Sequence, residues 1–363
     1  MDRKIWRRFD FVLLATIILL IIFGVAMIYS ATINTPGLEG LATRQAFYAL
    51  GGLLLMFAVA AIDYRFYEHF AKLIYVITLL LLGVVFVLGE TMFGAQRSIS
   101  LGLFPIQPSE LSKILLILVL ARFLAVYEEQ MDRLHIVILS FVLMAVPAVL
   151  IYKQPDLGTA LVLAMVWLVM ILMAGLRLRH LALFGLAGGL VTPVLWISIH
   201  DYMRRRLLLF LNPSADPEAS YNIGQALISI GSGGIWGKEF ASGSQSQLHF
   251  LRVRHTDFIF SVIAEEMGLV GSLLLFALLI IILIRIIRAA QLARDTFGRL
   301  IACGVATIIF FQSVVNIGMN LNLLPVTGIP LPFVSQGGSS LVTLLIGIGL
   351  VQSVVMRHRK IEF

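Results

Sequence analysis

Charged residues are scarce in this sequence, and cysteine is nearly absent. Of its 363 residues, 13% are Asp, Glu, Lys or Arg and 60% are hydrophobic, whereas a soluble domain has about 25% charged and about 45–50% apolar residues. Cys303 is the single cysteine, which excludes an internal disulfide and a metal site built from several thiolates. The composition therefore excludes a soluble enzyme, a disordered chain and a scaffold held by disulfides or zinc. It predicts a membrane protein.

The net charge of +7 also needs an explanation. In a soluble protein it would suggest a nucleic-acid partner, but in a membrane protein the cytoplasmic loops collect Lys and Arg. We therefore predict no nucleic-acid partner. The first apolar run continues past the usual length of a signal peptide without a small-residue cleavage site, so no cleaved leader is expected.

Ten apolar runs are long enough to cross a bilayer, for which a helix needs about 20 residues. They lie near residues 11–31, 45–62, 71–89, 109–126, 134–152, 158–175, 180–199, 257–284, 300–321 and 338–356. The predicted fold is an all-α integral membrane protein with ten transmembrane helices, forming a single polytopic domain over residues 1–363. An even number of spans places both termini on the same side of the membrane.

The distribution of Lys and Arg indicates which side this is. Positive residues precede the first span, follow the last span and fill alternate loops, whereas the opposite short loops hold little more than Arg44, Arg97 and Lys153. Because positive residues accumulate on the cytoplasmic side, both termini are predicted to be cytoplasmic.

A long external loop, about residues 200–256, connects the seventh and eighth spans. It is rich in Gly, Ser and Asn, and its stretch YNIGQALISIGSGG predicts a short amphipathic helix. Loops of this length are usually functional. On the side where cations are scarce, the loop also carries Arg204, Arg205, Arg206, Lys238, Arg252 and Arg254. Either long loops escape the charge rule, or an external anion such as a phosphate binds there.

A second irregular stretch, about residues 322–337, precedes the tenth span. It is apolar, but Pro325, Pro330 and Pro332 forbid a regular helix. Non-helical backbone at membrane depth is tolerated only where it is buried in protein or lines a wet cavity. We therefore predict a re-entrant segment that faces such a cavity.

Ionisable residues within or next to spans are the first candidates for chemistry, because charges there are costly and usually functional. Glu110 and Lys113 are three residues apart at the external start of the fourth span, so they can neutralise each other. They either contribute to a site or form a pair that fixes two helices. Asp156 and Asp257 each stand directly before an apolar run, where an aspartate can act as a helix N-cap or as a functional carboxylate.

Two polar groups lie near the end of the chain. Asn316 and Asn320 share one face of the ninth span and are expected either to bond a neighbouring helix or to line a site. Gly337, Gly338 and Ser339 could begin the tenth helix with free backbone donors for a phosphate. Alternatively, these small residues allow close helix packing.

All of these candidates map to the external half of the protein. An ion channel or proton pump would distribute its charges through the midplane of the membrane. The pattern here predicts a membrane-embedded site that opens outward and suits an amphiphile with an anionic head.

Five motifs, in order along the chain, resemble the signatures of the SEDS family (shape, elongation, division and sporulation). They read GAQRSISLGLFPIQPSELSK, KQPDLGTA, YNIGQALISIGSGGIWGKE, HTDFIFSVIAEEMGLVG and TGIPLPFVSQGGSS. The resemblance runs from about residue 10 to 357 and is greatest to the members that act in cell elongation. Two stretches depart from the common pattern: LRVRHTDF replaces LPEQHTDF, and Gln336 replaces a tyrosine.

The resemblance implies a multi-pass glycosyltransferase of the bacterial plasma membrane that extends glycan strands from lipid II during cell elongation. It implies a class B penicillin-binding protein as the cross-linking partner, with other elongation-complex proteins. It also implies that Asp257 is the essential carboxylate and that Arg97, Glu110, Lys113 and Asp156 line the cavity.

The chemistry of glycosyl transfer agrees with these assignments. A carboxylate near the acceptor hydroxyl can act as a general base. Arg, Lys or a divalent cation such as Mg²⁺ or Mn²⁺ could stabilise a pyrophosphate leaving group. The sequence has no dense carboxylate cluster, so its support for the ion is weak. Two other functions stay open at this point, a flippase or transporter of lipid-linked precursors and a non-catalytic scaffold of a cell-wall complex.

Overall fold

The computed structural model describes residues 6–358 except for 34, 36, 93–94, 101–104, 199–200, 213–216, 249 and 251–253. The described chain is built from helices. The long ones are α1 (Phe11–Thr32), α2 (Leu41–Ala61), α4 (Ala71–Leu88), α5 (Pro108–Val126), α6 (Leu134–Lys153), α7 (Leu157–Met173), α8 (Leu178–Ser198), α12 (Ile259–Leu292), α13 (Thr296–Asn320) and α14 (Gly338–Met356). The shorter ones are α3 (Tyr64–His69), α9 (Asp201–Leu211), α10 (Pro217–Gly233) and α11 (Ser244–Gln247). The predicted helical architecture is confirmed.

Six of these helices are long and apolar enough to cross a membrane, namely α1, α2, α6, α12, α13 and α14. The helices α4 and α7 are apolar and somewhat shorter. Of the six, α13 and α14 are the most buried within the protein, so they form the centre around which the other helices pack.

Small residues allow the central helices to approach closely. A Cβ on Gly349 of α14 would lie 2.6 Å from the carbonyl oxygen of Met56 on α2, and a Cβ on Gly52 would lie 2.6 Å from Leu345. Gly304 on α13 meets Ile117 of α5 in the same way, at 2.8 Å. Small residues at such crossings bring helix backbones into contact, as is common between transmembrane helices.

Three short strands, which the sequence analysis did not predict, lie between α4 and α5. They are β1 (Glu90–Met92), β2 (Ala95–Ser100) and β3 (Pro105–Ile106), and they form one antiparallel sheet in the order β1-β2-β3. In its register Glu90 pairs with Ser98, and Ile99 pairs with Ile106. The sheet therefore leads the chain from α4 into the QPSELSK motif at the start of α5.

The long connection after α8 is partly helical. The amphipathic helix predicted within it is confirmed, since α10 spans Pro217–Gly233 and includes the predicted stretch. The structure adds α9, which the sequence analysis missed.

The turn after α10 inserts into a break in α12. Gly268 has φ 61° and ψ −155°, which interrupts the helix. The amides of Leu269 and Val270 donate to the carbonyls of Gly234 and Ile235, at 3.0 and 3.2 Å. The backbone polar groups exposed by the break are thus satisfied by the inserted turn.

Two buried glutamates of α12 fasten this insertion. Glu265 Oε1 accepts a hydrogen bond from the amide of Gln245 at 2.8 Å and pairs with Lys238 Nζ at 3.2 Å. Glu266 Oε2 accepts from Ser30 Oγ at 2.5 Å and from the amide of Ala241 at 3.2 Å. These contacts tie the external connection to α12 and to α1.

Substitution of Gly237 should test how tightly the turn is held. Gly237 has φ +82°, and a Cβ there would lie 2.1 Å from the carbonyl oxygen of Glu266. Gly37 is a matched control, because it has φ +85° but nothing within 4 Å of a Cβ. We expect Gly37→Ala to cost about 1–2 kcal/mol through backbone strain alone. Gly237→Ala should cost a further 1–3 kcal/mol, roughly, because backbone atoms must move. Thermal unfolding of the purified proteins in detergent measures both, and equal losses would contradict a tight insertion.

The segment 322–337 is non-helical, as predicted, and it packs inside the protein. A Cβ on Gly24 of α1 would lie 2.9 Å from the carbonyl oxygen of Phe333, and one on Gly158 of α7 would lie 3.0 Å from that of Thr327. Leu331, Phe333 and Val334 are buried. The segment therefore lies between α1 and α7, next to the turn that precedes α12.

Candidate active site

Asp257 lies on a turn, residues 254–258, that leads into α12. Its carbonyl oxygen accepts hydrogen bonds from Asn316 Nδ2 at 3.1 Å and from Asn320 Nδ2 at 3.0 Å. Both asparagines lie on α13, so this helix holds the turn by its backbone. The backbone of Asp257 is thus fixed by two hydrogen bonds from α13.

The interpretation of Asp257 as a helix cap is not supported. The N-cap of α12 is Phe258, with no side-chain cap. Asn320 Oδ1 instead accepts from the amide and the hydroxyl of Ser261, at 3.2 and 2.6 Å. The Asn pair thus binds neighbouring segments, one of the two roles expected from the sequence, and it does so through backbone groups.

The segment 322–337 is joined to the Asp257 turn by short-range contacts. Ser335 Oγ donates to the carbonyl of Thr256 at 2.7 Å, and the amide of Gln336 donates to the carbonyl of His255 at 3.0 Å. Asn316 Nδ2 also donates to the carbonyl of Ile329, at 2.8 Å. The Gln336 contact uses only the backbone, so it does not depend on the residue type at this position.

Gly328 lies directly beside the Asp257 carboxylate. A Cβ on Gly328 would lie 3.8 Å from Asp257 Oδ2, and its φ of +75° is in the left-handed region that favours glycine. The backbone conformation therefore favours glycine at this position, and no side chain lies there beside the carboxylate.

Asp156 is the N-cap of α7, as one of the two sequence interpretations proposed. Its Oδ1 accepts from the amide of Thr159 at 3.1 Å. Its Oδ2 accepts from Thr159 Oγ1 at 3.0 Å and from Ser109 Oγ and Gln107 Nε2, each at 3.3 Å. Asp156 therefore also joins the starts of α5 and α7, and the cap does not exclude a role in the site.

Glu110 and Lys113 form an ion pair inside the protein. Lys113 Nζ lies 2.7 Å from Glu110 Oε2, and the two side chains are 0% and 5% exposed. The predicted pairing is confirmed. Two charges buried to this degree are costly to desolvate, so the pair requires a reason to be present.

The start of α14 is used for packing and for contacts within the protein. The amide of Gly337 donates to Gln45 Oε1 at 3.2 Å, and Ser339 Oγ accepts from the amide of Gln107 at 3.1 Å. A Cβ on Gly338 would lie 2.6 Å from the ring of Tyr48. These contacts favour the close-packing interpretation for Gly338, and phosphate binding at this helix start stays a prediction.

The structure links three of the predicted groups, namely Asp156, Asp257 and the start of α14. The side chain of a fourth, Arg97, is not described. Contacts of Gln107 link Asp156 to Ser339, and contacts of segment 322–337 link Asp257 to α14. Arg97 lies on β2, but its side chain is outside the described part of the structure. Among the described residues no group of three or more His, Cys, Asp or Glu could hold a metal ion.

Two further residues belong to the site: Gln45, which the sequence did not indicate, and Arg206, which was predicted only as one of three arginines of the external loop that could bind a phosphate. Gln45 is buried in α2 and holds both Ser335 and Gly337. A buried amide in an otherwise apolar span is a signal that could have identified it. Arg206 was not distinguished from its neighbours Arg204 and Arg205, because only the structure shows which of the three turns inward.

Two ionisable residues, Arg254 and His255, lie on the same turn as Asp257. Burial lowers the pKa of His255, and the positive charge of Arg254 lowers it further. The imidazole is therefore neutral at neutral pH. Arg254 points away toward α1, where its Nε donates to the carbonyl of Ala31 at 2.6 Å.

Known proteins with similar sequences and structures identify the family. Residues 10–360 match the family described as cell cycle protein and named for FtsW, RodA and SpoVE. The peptidoglycan glycosyltransferase MrdB of Escherichia coli strain K12 is 42% identical over 358 residues, which cover 97% of this chain and 94% of MrdB. One chain of a solved peptidoglycan synthase complex, which coordinates polymerization and crosslinking, has a TM-score of 0.83 and 35% identity, and covers 96% of this chain and 97% of that chain. The crystal structure of RodA from Thermus thermophilus has a TM-score of 0.71 and 33% identity, and covers 97% of this chain and 98% of that chain. The chain therefore belongs to the FtsW, RodA and SpoVE family, which is the SEDS family that its motifs resemble.

Proposed function

We propose that the chain is a peptidoglycan glycosyltransferase that polymerises lipid II into glycan strands during cell elongation, like the RodA members of its family. The observation that carries this proposal is the Asp257 turn. Two asparagines and the segment 322–337 hold it rigidly by its backbone, and its carboxylate lies next to Gly328. A carboxylate carried on a fixed turn can be held at a constant distance from an acceptor hydroxyl, as a general base requires.

The reaction joins two sugars and releases a pyrophosphate. The acceptor hydroxyl attacks the anomeric carbon of the donor sugar, and the bond between that carbon and the pyrophosphate oxygen breaks. Asp257 accepts the proton of the acceptor hydroxyl. The leaving pyrophosphate carries away the bonding electron pair, and a cationic side chain such as Arg97 stabilises its charge.

The remaining candidates support the cavity around Asp257. Hydrogen bonds of Gln107 join Asp156 to Ser339, and these contacts hold the N-terminal ends of α5, α7 and α14 together. The pair of Glu110 and Lys113 lies one turn further along α5. Gly337 and Gly338 bring the start of α14 against α2. We propose that this set binds the sugar and phosphate groups of lipid II.

The divalent cation remains an expectation of lesser weight. The described residues offer no cluster of three ligands, so they do not fit a resident ion held by protein alone. No step of the proposed reaction passes through a metal.

The proposed membrane arrangement has ten spans and cytoplasmic termini in the plasma membrane. Six helices have the length and apolar character for spanning. We assign α4, α5, α7 and α8 to the remaining four spans. The connection 200–256 then lies outside, and the segment 322–337 is re-entrant from the same side.

A cross-linking enzyme of the class B penicillin-binding protein type is the proposed partner. The solved peptidoglycan synthase complex, one chain of which resembles this protein over 96% of the present sequence, coordinates polymerization and crosslinking. Polymerisation and cross-linking act on the same strand, so a partner held in the membrane beside the glycosyltransferase would receive its product.

Polymerisation of fluorescent lipid II by the purified protein tests the function. We expect glycan products longer than a disaccharide, and their loss in an Asp257→Ala variant. A flippase would instead move lipid II across proteoliposome membranes without forming glycan. A scaffold would do neither, and wild-type protein that forms no glycan alone or with its cross-linking partner would contradict the proposal.

Arg97 provides a separate prediction about the leaving group. Arginine binds phosphate oxygens through two parallel N–H groups, which lysine cannot reproduce. Arg97→Lys should therefore lower the rate of polymerisation, and Arg97→Ala should lower it further, by about 10–100-fold if one charge-assisted contact of about 1.5–3 kcal/mol is lost. The deciding measurement is binding of a polyprenyl pyrophosphate analogue to wild type and Arg97→Ala. Equal affinities would remove Arg97 from the site.

A further inference from the structure

Arg206 and the Asp257 carboxylate both lie next to Gly328. Its Nη1 donates to the carbonyl of Val326 at 3.0 Å. A Cβ on Gly328 would lie 3.8 Å from Arg206 Nη1 and also 3.8 Å from Asp257 Oδ2. The guanidinium and the carboxylate therefore both lie 3.8 Å from one point beside Gly328, a residue that has no side chain.

We propose that Arg206 is a positioning residue that fastens α9 to residues 325–328 and keeps the Asp257 carboxylate ionised and oriented. The inference rests on the proposed role of Asp257 as general base. It assigns a function to α9, an element that no motif of the sequence had indicated.

An arginine side chain can bind residues 325–328 and at the same time act on the Asp257 carboxylate by its charge. A guanidinium has five N–H donors in a rigid plane, so one nitrogen can bind a carbonyl while the positive charge remains spread over the others. Arg206 is half-buried, whereas Arg204 and Arg205 are exposed on the same helix. It also lines a pocket with Met203, Leu207, Val326 and Thr327. The low polarity of such a pocket strengthens the effect of the charge.

Among the described residues, most other charged groups near this turn are engaged in contacts elsewhere. The segment 322–337 and the last turn of α13 contain no ionisable residue. The described titratable and charged groups near the turn on the remaining elements include Asp156 on α7, the exposed Arg204 and Arg205 on α9, Arg254 and His255 on the turn, and Glu265 and Glu266 on α12. Asp156 is used as the α7 cap, His255 is neutral, and Arg254 binds α1. Both glutamates bind the turn after α10 and α1.

The pH dependence of polymerisation separates this role from a merely structural one. A nearby cation favours the ionised form of a carboxylate, so its removal makes the carboxylate bind a proton more readily. In Arg206→Gln we expect the acidic limb of the kcat profile to move to higher pH by about one unit. Arg206→Lys should restore the limb while remaining slower than wild type. A structural role alone would lower kcat equally at all pH values.

The matched control is Arg44→Gln, which removes one exposed arginine of α2 from the predicted external side. Its acidic limb should coincide with that of wild type. This control separates a local effect at Asp257 from a general loss of positive charge on the external side.

A second measurement does not require catalysis. A diazo reagent esterifies protonated carboxyl groups, and mass spectrometry of the peptide containing Asp257 gives the pH midpoint of labelling. The midpoint should rise in Arg206→Gln and not in Arg44→Gln. If it rises while wild type makes no glycan, the role of Arg206 stands and the proposed function fails. If wild type makes glycan and neither the limb nor the midpoint moves, the role of Arg206 is overturned.

Discussion

Replacement of Asp257 by asparagine is expected to lower the rate of lipid II polymerisation by a factor of at least about 100, because general-base catalysis contributes about 10²–10⁴-fold. The change keeps the shape of the side chain and removes its negative charge and its ability to accept a proton. Folding should be little affected, since Asn316 and Asn320 bind the carbonyl oxygen of residue 257 and not its side chain. The measurements are the initial rate of glycan formation and the melting temperature in detergent.

Asp295→Asn is the matched control for this variant. Asp295 is also an aspartate at the start of a helix, and its Oδ1 accepts from the amide of Gly298 at 2.8 Å. Asparagine is a good N-cap, so this variant should keep both the fold and near wild-type polymerisation. Near wild-type polymerisation by Asp257→Asn would instead show that residue 257 acts only in positioning.

The helices were predictable because their signals are local. Apolar runs of sufficient length indicated the long helices, and the amphipathic pattern in YNIGQALISIGSGG indicated α10. The break of α12 at Gly268 was not predictable, because it depends on the carbonyls of Gly234 and Ile235, which lie more than thirty residues earlier in the chain. The same holds for the sheet of β1 to β3, whose short strands carry little periodicity.

The features of the site can likewise be divided into those that were predictable from the sequence and those that were not. The i, i+3 spacing of Glu110 and Lys113 and the position of Asp156 before α7 were sufficient to predict a pair and a cap. The approach of Arg206 to Gly328 joins residues from two distant parts of the chain. Hydrogen bonding between Arg206 and Val326 spans 120 residues. No local pattern encodes such a contact, so it became visible only once the fold had brought α9 over the segment 322–337.

The second large effect is expected at the buried pair of Glu110 and Lys113. Removal of one partner leaves an uncompensated charge in an apolar environment, at a cost of about 3–5 kcal/mol, whereas replacement of both partners is often nearly neutral. We therefore expect Glu110→Gln and Lys113→Met each to lower the melting temperature strongly. The double variant should be more stable than at least one of the single variants. Arg65→Met is the control, because its ion pair with Asp63 is 46% and 38% exposed, and loss of an exposed pair costs about 0–1 kcal/mol.

The activity of the double variant distinguishes a structural role of the pair from a role in the cavity. The thermodynamic coupling follows from the four melting curves, and simple additivity of the single effects would reject a coupled pair. If the pair only fixes the fold, the double variant should regain polymerisation together with its stability. If the pair contributes to the cavity, as the resemblance to the family implies, the double variant should regain stability and still polymerise lipid II slowly. We expect the second result, because two charges of which at most 5% is exposed are a poor device for stability alone, and an apolar pair of similar volume would serve the fold at least as well.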